Sequence, residues 1–179
     1  MSKADNKTPM ERYTEDKVIL EVKHLNKQFV VDSKMRVAAK TVKAVNDVSF
    51  YIKENETFSL VGESGCGKST TGRTVLRLIS PTSGEIYYKG KDFFKLSNKE
   101  LNKERQNLQM VFQDPYTSLN PKMTVGELIE EPLIIHKIEK DKAKRVKMVL
   151  DMMEKVGLRK DQYYRYPHEF SGGQRQRIG

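Results

Sequence analysis

Eight consecutive residues, Gly62-Glu63-Ser64-Gly65-Cys66-Gly67-Lys68-Ser69, combine a backbone able to curl, a cation and a hydroxyl. Their spacing is G-x-x-x-x-G-K-[ST], the phosphate-binding P-loop. Glycines at 62, 65 and 67 let successive N–H groups point inward without Cβ clashes. A helix starting near Gly67 adds its positive N-terminal end. In this pattern Lys68 reaches the β- and γ-phosphates and the Ser69 hydroxyl ligates Mg²⁺. The competing reading is a plain Gly/Ser-rich loop joining a strand to a helix, so the flanking elements matter.

Those elements have the required order. The apolar run 57–61 predicts a strand entering the loop, and Val75, Leu76, Leu78 and Ile79 predict one face of a helix leaving it. Ser80-Pro81-Thr82-Ser83-Gly84 stops that helix. Upstream, Val18 to Val22 reads as a first strand, Phe29-Val30-Val31 as a second apolar patch, and Val42 to Ile52 as an alternating strand. Residues 1–16 are polar and nearly free of aliphatic side chains, which predicts a flexible tail. Glu85 to Gly90 reads as a short strand, Ser97 with Glu100 as a capping box, and Leu108 to Phe112 as a buried strand. Beyond Gln113 the signals turn helical: Thr124 caps one helix, kinked or ended by Pro132. Ala143, Val146, Val149, Leu150, Met153 and Val156 line another, which Gly157 ends. The expected division is therefore a tail (1–16), a nucleotide-binding core (17–112) and a helical part (113–179).

Composition limits the alternatives. The chain has 179 residues, 37% hydrophobic and 32% charged, with no apolar run long enough to cross a bilayer. A single cysteine excludes a disulfide framework or a Cys-rich zinc site. The net charge of +9 invites a nucleic-acid or anionic-lipid reading. The 33 basic residues, however, are interleaved with 24 acidic ones along the whole chain, so no nucleic-acid partner is expected. His24, His136 and His168 lack metal-ligand spacing and read as surface or capping residues. Tyr163, Tyr164 and Tyr166 read as packing under the glycine turn that follows them. The guanine-binding N-K-x-D and the switch D-x-x-G of GTPases do not occur.

Two further stretches narrow the class. Phe170-Ser171-Gly172-Gly173-Gln174 resembles the signature motif of ATP-binding cassette (ABC) proteins, and Met110-Val111-Phe112-Gln113-Asp114-Pro115 resembles their Q-loop. With the P-loop, three motifs stand in the family's order over roughly residues 18–179. The wording from Val61 to Arg73, from Val111 to Pro121 and from Tyr166 to Arg177 is similar to the ATPase subunits of oligopeptide and dipeptide importers. The basic loop from Asp32 to Thr41 also suits that group.

The resemblance implies an α/β P-loop NTPase core with an antiparallel β subdomain and a partial α-helical subdomain. It implies ATP and Mg²⁺ as ligands. Gly62, Glu63, Ser64, Gly65, Cys66, Gly67, Lys68, Ser69 and Thr70 would hold the phosphates, with Ser69 and Gln113 on Mg²⁺. Gln113 would touch either that Mg²⁺ or the attacking water and relay nucleotide state to the helical part. Ser171, Gly172, Gly173 and Gln174 would contact the γ-phosphate of ATP held by a second ABC ATPase subunit. Phe29 is the candidate to stack on adenine, against an ordinary core role. Cys66 lies where a thiol reagent should compete with ATP.

Implied partners are that second subunit, two membrane permease subunits and, indirectly, an extracytoplasmic solute-binding protein. The implied location is the cytoplasmic face of the membrane. The sequence stops before the family's Walker B strand, catalytic Glu and switch His. The expectation is therefore that this polypeptide alone hydrolyses ATP negligibly, and that its P-loop strand borders an unpaired sheet edge. A soluble ABC ATPase of translation or DNA repair, and a non-catalytic nucleotide-binding fragment, are the alternatives.

Overall fold

Two long strands, β1 (Val18–Val31) and β2 (Lys40–Lys53), pair antiparallel. Strand β3 (Ser83–Tyr88) joins the free edge of β1, and the two-residue β4 (Lys91–Asp92) follows it, giving the order β2-β1-β3-β4. The computed structural model describes residues 7–31, 40–112 and 118–179. The loop expected at 32–41 therefore lies largely outside the described residues, and so does Gln113. The chain divides into two units, Met1–Glu104 and Arg105–Gly179, earlier than the change of character expected at Gln113.

The two apolar patches at 18–22 and 29–31 belong to one strand, interrupted by register shifts on either side of Leu25. At these irregularities His24 and Asp47 adopt left-handed backbone, with φ of 48° and 50°. Their amides stay paired, because His24 N–H donates to Ser49 Oγ (2.8 Å) and Asp47 N–H donates to Asn26 Oδ1 (2.9 Å). Alternation puts Val22, opposite Phe50 and Ile86, on one sheet face and Glu21, between Tyr51 and Tyr87, on the other. The first face forms the core, where Val22, Leu25, Ile86 and Phe93 are buried. Helix α2 (Lys68–Val75) packs on β1 and β2, burying Thr71, Thr74 and Val75. It ends at Val75, so Leu76, Leu78 and Ile79 lie in the turns beyond, and Arg77 takes φ 54°. Ser97 then caps α3 (Asn98–Glu104) through Glu100, as its spacing predicts.

The other face corrects the expected tail. Residues Pro9–Asp16 form helix α1. Thr8 and Glu11 make a reciprocal capping box, Pro9 supplies a preset first turn, and Lys17 closes the helix at φ 58°. Tertiary contact completes it. Arg12 pairs with Glu21, which is 3% exposed, and the guanidinium also lies 4.9 Å from the Tyr51 ring centre. On the same face burial, helped by the hydrogen bond to Glu85, pushes the Tyr87 phenol up to about 12.

Two expected strands are absent among the described residues. Residues 57–61 and 108–112 are apolar but belong to no ladder. Val61 is 88% exposed and Val111 80%. An apolar run reads as a strand from its side chains, but it becomes one only where a neighbour satisfies its amides. Phe58 still finds a partner, stacking on Phe50 with ring centres 4.8 Å apart.

The second unit is helical. Helix α4 (Val125–Ile135) begins at the Thr124–Glu127 capping box and runs through Pro132. Helix α5 (Lys142–Lys155) presents Val149 and Met153 to the core, and Gly157 follows at φ 73°. Two 3₁₀ turns (Lys160–Tyr164 and Pro167–Glu169) lead to α6 (Gly172–Ile178). Leu119, Val125, Val149, Met153, Leu158, Tyr163, Phe170 and Ile178 form one core. Gly126 has to lack a Cβ, which would sit 2.3 Å from the Tyr163 ring. Beside that contact Glu130 is buried and satisfied, accepting from Arg145 Nε (2.8 Å) and the Tyr163 hydroxyl (3.5 Å). Burial, with the Glu130 carboxylate nearby, raises the Tyr163 phenol above its ordinary range.

Candidate functional site: a glycine-rich loop and an uncapped helix

The loop 62–67 delivers the chain into α2. Cys66 N–H donates to Glu63 O (3.3 Å), closing a turn that contains Gly65 at φ 84°, and Gly67 follows at φ 99°. Gly67 is the N-cap of α2, and no side chain caps the helix there. A Cβ at Gly67 would lie 2.1 Å from Ala44 O, so the loop presses its backbone onto β2. The first-turn N–H groups of Lys68, Ser69 and Thr70 are thus those a helix start leaves without intrahelical acceptors. Thr71 and Thr74 turn their hydroxyls back onto Gly67 O (3.0 Å) and Thr70 O (2.7 Å), which fixes the helix's inner side.

Lys68 folds back over this loop. Its ammonium donates to Gly62 O (2.7 Å) and Glu63 O (2.6 Å) and faces Cys66 Sγ at 3.6 Å. Two of its three donors are held by backbone, and the sulfur contact is the weakest of the set. The loop therefore offers a held positive charge, a helix N-terminus and the hydroxyls of Ser64, Ser69 and Thr70 in one continuous, largely exposed stretch of chain. Such an arrangement fits an anion of several oxygens. The fit to Mg²⁺ follows from the donor chemistry. Ser69 offers a neutral hydroxyl, and among the described residues no three His, Cys, Asp or Glu side chains gather as a metal site. Mg²⁺ takes carboxylates, waters and substrate phosphates, so this site suits it as the companion of a bound polyphosphate.

The other expected residues fall elsewhere. Phe29 is on β1 opposite Val42, 39% exposed, and the Lys27 ammonium stands 4.9 Å from its ring centre. Sequence reading missed Lys27, although i and i+2 on a strand share a face. Ser171 to Gln174 lie in the second unit, at the start of α6. Ser171 Oγ accepts from Gln174 N–H (3.4 Å), while Gln174 Oε1 accepts from the Ser171 N–H (3.0 Å) and hydroxyl (3.1 Å). His24 pairs with Asp47 (2.7 Å) on the surface, His136 is the C-cap of α4, and His168 stacks on Tyr166 at 5.7 Å. These are the surface and capping roles their spacing predicts.

A mixed α/β unit carrying a P-loop at the start of a helix defines a P-loop nucleotide-binding protein. The family model described as ABC transporter matches residues 45–179, and the chain belongs to that family. It is 52% identical over 162 residues to the oligopeptide transport ATP-binding protein OppF of Bacillus subtilis (strain 168), covering 90% of this chain and 51% of the relative. To the dipeptide transport ATP-binding protein DppF of Escherichia coli (strain K12) it is 47% identical over 160 residues, covering 89% and 48%. The chain spans about half the length of the curated relatives it matches. Among solved structures it resembles the dimeric post-hydrolysis state of the ATP-binding cassette MJ0796 bound to ADP and Pi. That match has a TM-score of 0.76 and 30% identity, covering 89% of this chain and 66% of the other. Among the described residues no helix is long and apolar enough to cross a membrane.

Proposed function

We propose that this chain is the ATP-binding portion of a subunit that energises import of oligopeptides or dipeptides. The observation that carries the reading is the uncapped start of α2, with Lys68 tied back over the loop, inside a region that matches the ABC family. Gly62, Glu63, Ser64, Gly65, Cys66, Gly67, Lys68, Ser69 and Thr70 enclose the ATP phosphates. Backbone N–H groups and the Lys68 ammonium neutralise them, and Ser69 with Gln113 holds Mg²⁺. Mg²⁺ held there would supply positive charge to the bound phosphates. Phe29 supports the adenine ring on the face opposite Lys27.

Ser171, Gly172, Gly173 and Gln174 address the γ-phosphate of ATP on a second ABC ATPase subunit, so each nucleotide site is composite. Two permease subunits and a solute-binding protein complete the importer, with this subunit on the cytoplasmic face. The peptide cargo is supported by the oligopeptide and dipeptide transport ATP-binding proteins that share 47–52% identity with this chain. Peptide uptake tests the reading. In a strain whose chromosomal copy is deleted, the intact gene that carries this sequence should restore uptake of a labelled di- or oligopeptide, whereas its Lys68→Ala version should not. Restoration by Lys68→Ala, or no peptide uptake with the parent, would refute it.

A further inference from the structure

The start of α6 is weak by composition. Its first two helical residues are Gly172 and Gly173, the poorest helix formers after proline, and the helix has only seven residues. Something besides propensity has to hold Ser171 at its presenting end. Phe170 and Ile178 anchor the two ends of the segment by burial. Between them Arg175 reaches backward along its own chain. Its Nε donates to Pro167 O (2.7 Å) and its Nη2 to His168 O (3.3 Å), while its backbone N–H donates to Ser171 O (2.9 Å). One side chain thus joins α6 to the 3₁₀ turn that delivers Ser171. That turn is closed on itself, since Tyr166 N–H donates to Glu169 (2.7 Å).

We infer that Arg175 is a positioning residue for the signature segment. It clamps the Pro167–Glu169 turn to α6, so that Ser171 and the glycine amides keep one orientation. A guanidinium suits this task because its planar fork can serve two carbonyls at once, whereas lysine brings a single point of donation. The inference rests on the composite-site reading for its functional consequence, but the clamp can be measured without it.

Hydrogen exchange followed by mass spectrometry on the natural full-length subunit reads the clamp directly. Arg175→Met should speed exchange of the Ser171 and Gln174 amides, the two that are hydrogen-bonded in this stretch, about tenfold, the order expected for losing a charge-assisted hydrogen bond. Exchange around Val149 and Met153 should not change. Arg175→Lys should fall between Met and the parent. Unchanged exchange at 171–174, or equal acceleration throughout the unit, would overturn the assignment.

The functional arm compares ATP affinity with ATP-driven association of two subunits. Arg175→Met should leave the first unchanged and weaken the second about tenfold. Equal association would overturn the inference. A parent that shows no ATP-driven association would instead refute the composite site, leaving the exchange result to decide the clamp.

Discussion

Two helices in this protein begin at glycine-rich turns, and they begin differently. At α2 the capping position is Gly67, in left-handed backbone with no side chain to offer, and the third helical residue is Thr70. At α6 the capping position is Ser171 in extended backbone, and the third helical residue is Gln174, which returns the hydrogen bond. The first start keeps its amides for something outside the protein. The second engages its Ser171 and Gln174 amides in a reciprocal box. Both look like anion sites in sequence because both pair glycines with a hydroxyl and a basic helix. The capping residue and the residue three places on separate them. An anion approaching α6 has to replace the Gln174 carboxamide on Ser171, whereas one approaching α2 displaces only the weak Lys68–Cys66 contact.

Alanine at the two glycine turns should give the largest contrast. Gly67→Ala combines left-handed strain with a Cβ placed 2.1 Å from Ala44 O. Denaturant unfolding should show a loss of about 3 kcal/mol. Gly172→Ala meets nothing within 4 Å. It should instead stabilise α6 by about 0.5 kcal/mol through helix propensity. Similar losses at both positions would erase the distinction. Lys68→Ala should weaken ATP binding about 100-fold by fluorescence titration, since a charge-assisted contact to phosphate is lost, while the melting temperature stays put.

Ser171→Ala touches the closed start. It should cost about 1 kcal/mol of local helix stability, seen as faster amide exchange in α6, and leave ATP affinity unchanged. A drop in affinity comparable to that of Lys68→Ala would mean that both starts serve one bound nucleotide.

How far these differences can be read from sequence depends on whether the deciding contact is local. The Ser97–Glu100 box, the Thr124 cap and the apolar face of α5 follow from spacing alone, and all are present. Capping partners sit three residues apart, so the signal lies within one turn. The P-loop is legible for the same reason. Helix α1 carries the same local signal at Thr8 and Glu11, but its low hydrophobic content masks it, and the contact that holds it, Arg12 to Glu21, is not local. Nor could the state of residues 57–61 be read: Val61 and Leu60 have strand-like side chains, but the ladder partner is a separate matter. The Arg175 clamp spans eight residues to Pro167, beyond any helical period.

A smaller effect separates capping boxes by chemistry. Glu127 closes the Thr124 box, and the hydrogen bonds from the Thr124 backbone and hydroxyl hold its carboxyl below the ordinary range. A carboxyl lowered in the folded state adds stability that is complete above its unfolded value and is lost as pH falls through the folded one. Below about pH 4, exchange at Thr124, corrected for intrinsic rate, should therefore accelerate. Exchange at Ser171 should not, because the Gln174 amide does not titrate. Parallel acceleration at both would show general unfolding instead.

The most direct test follows backbone amides of this chain by NMR during titration with Mg²⁺ and ATP. An open α2 start predicts saturable shifts at Gly65, Gly67, Lys68, Ser69 and Thr70, with Ser171 to Gln174 unmoved in the monomer. Shifts confined to 171–174, or none at the loop, would contradict it.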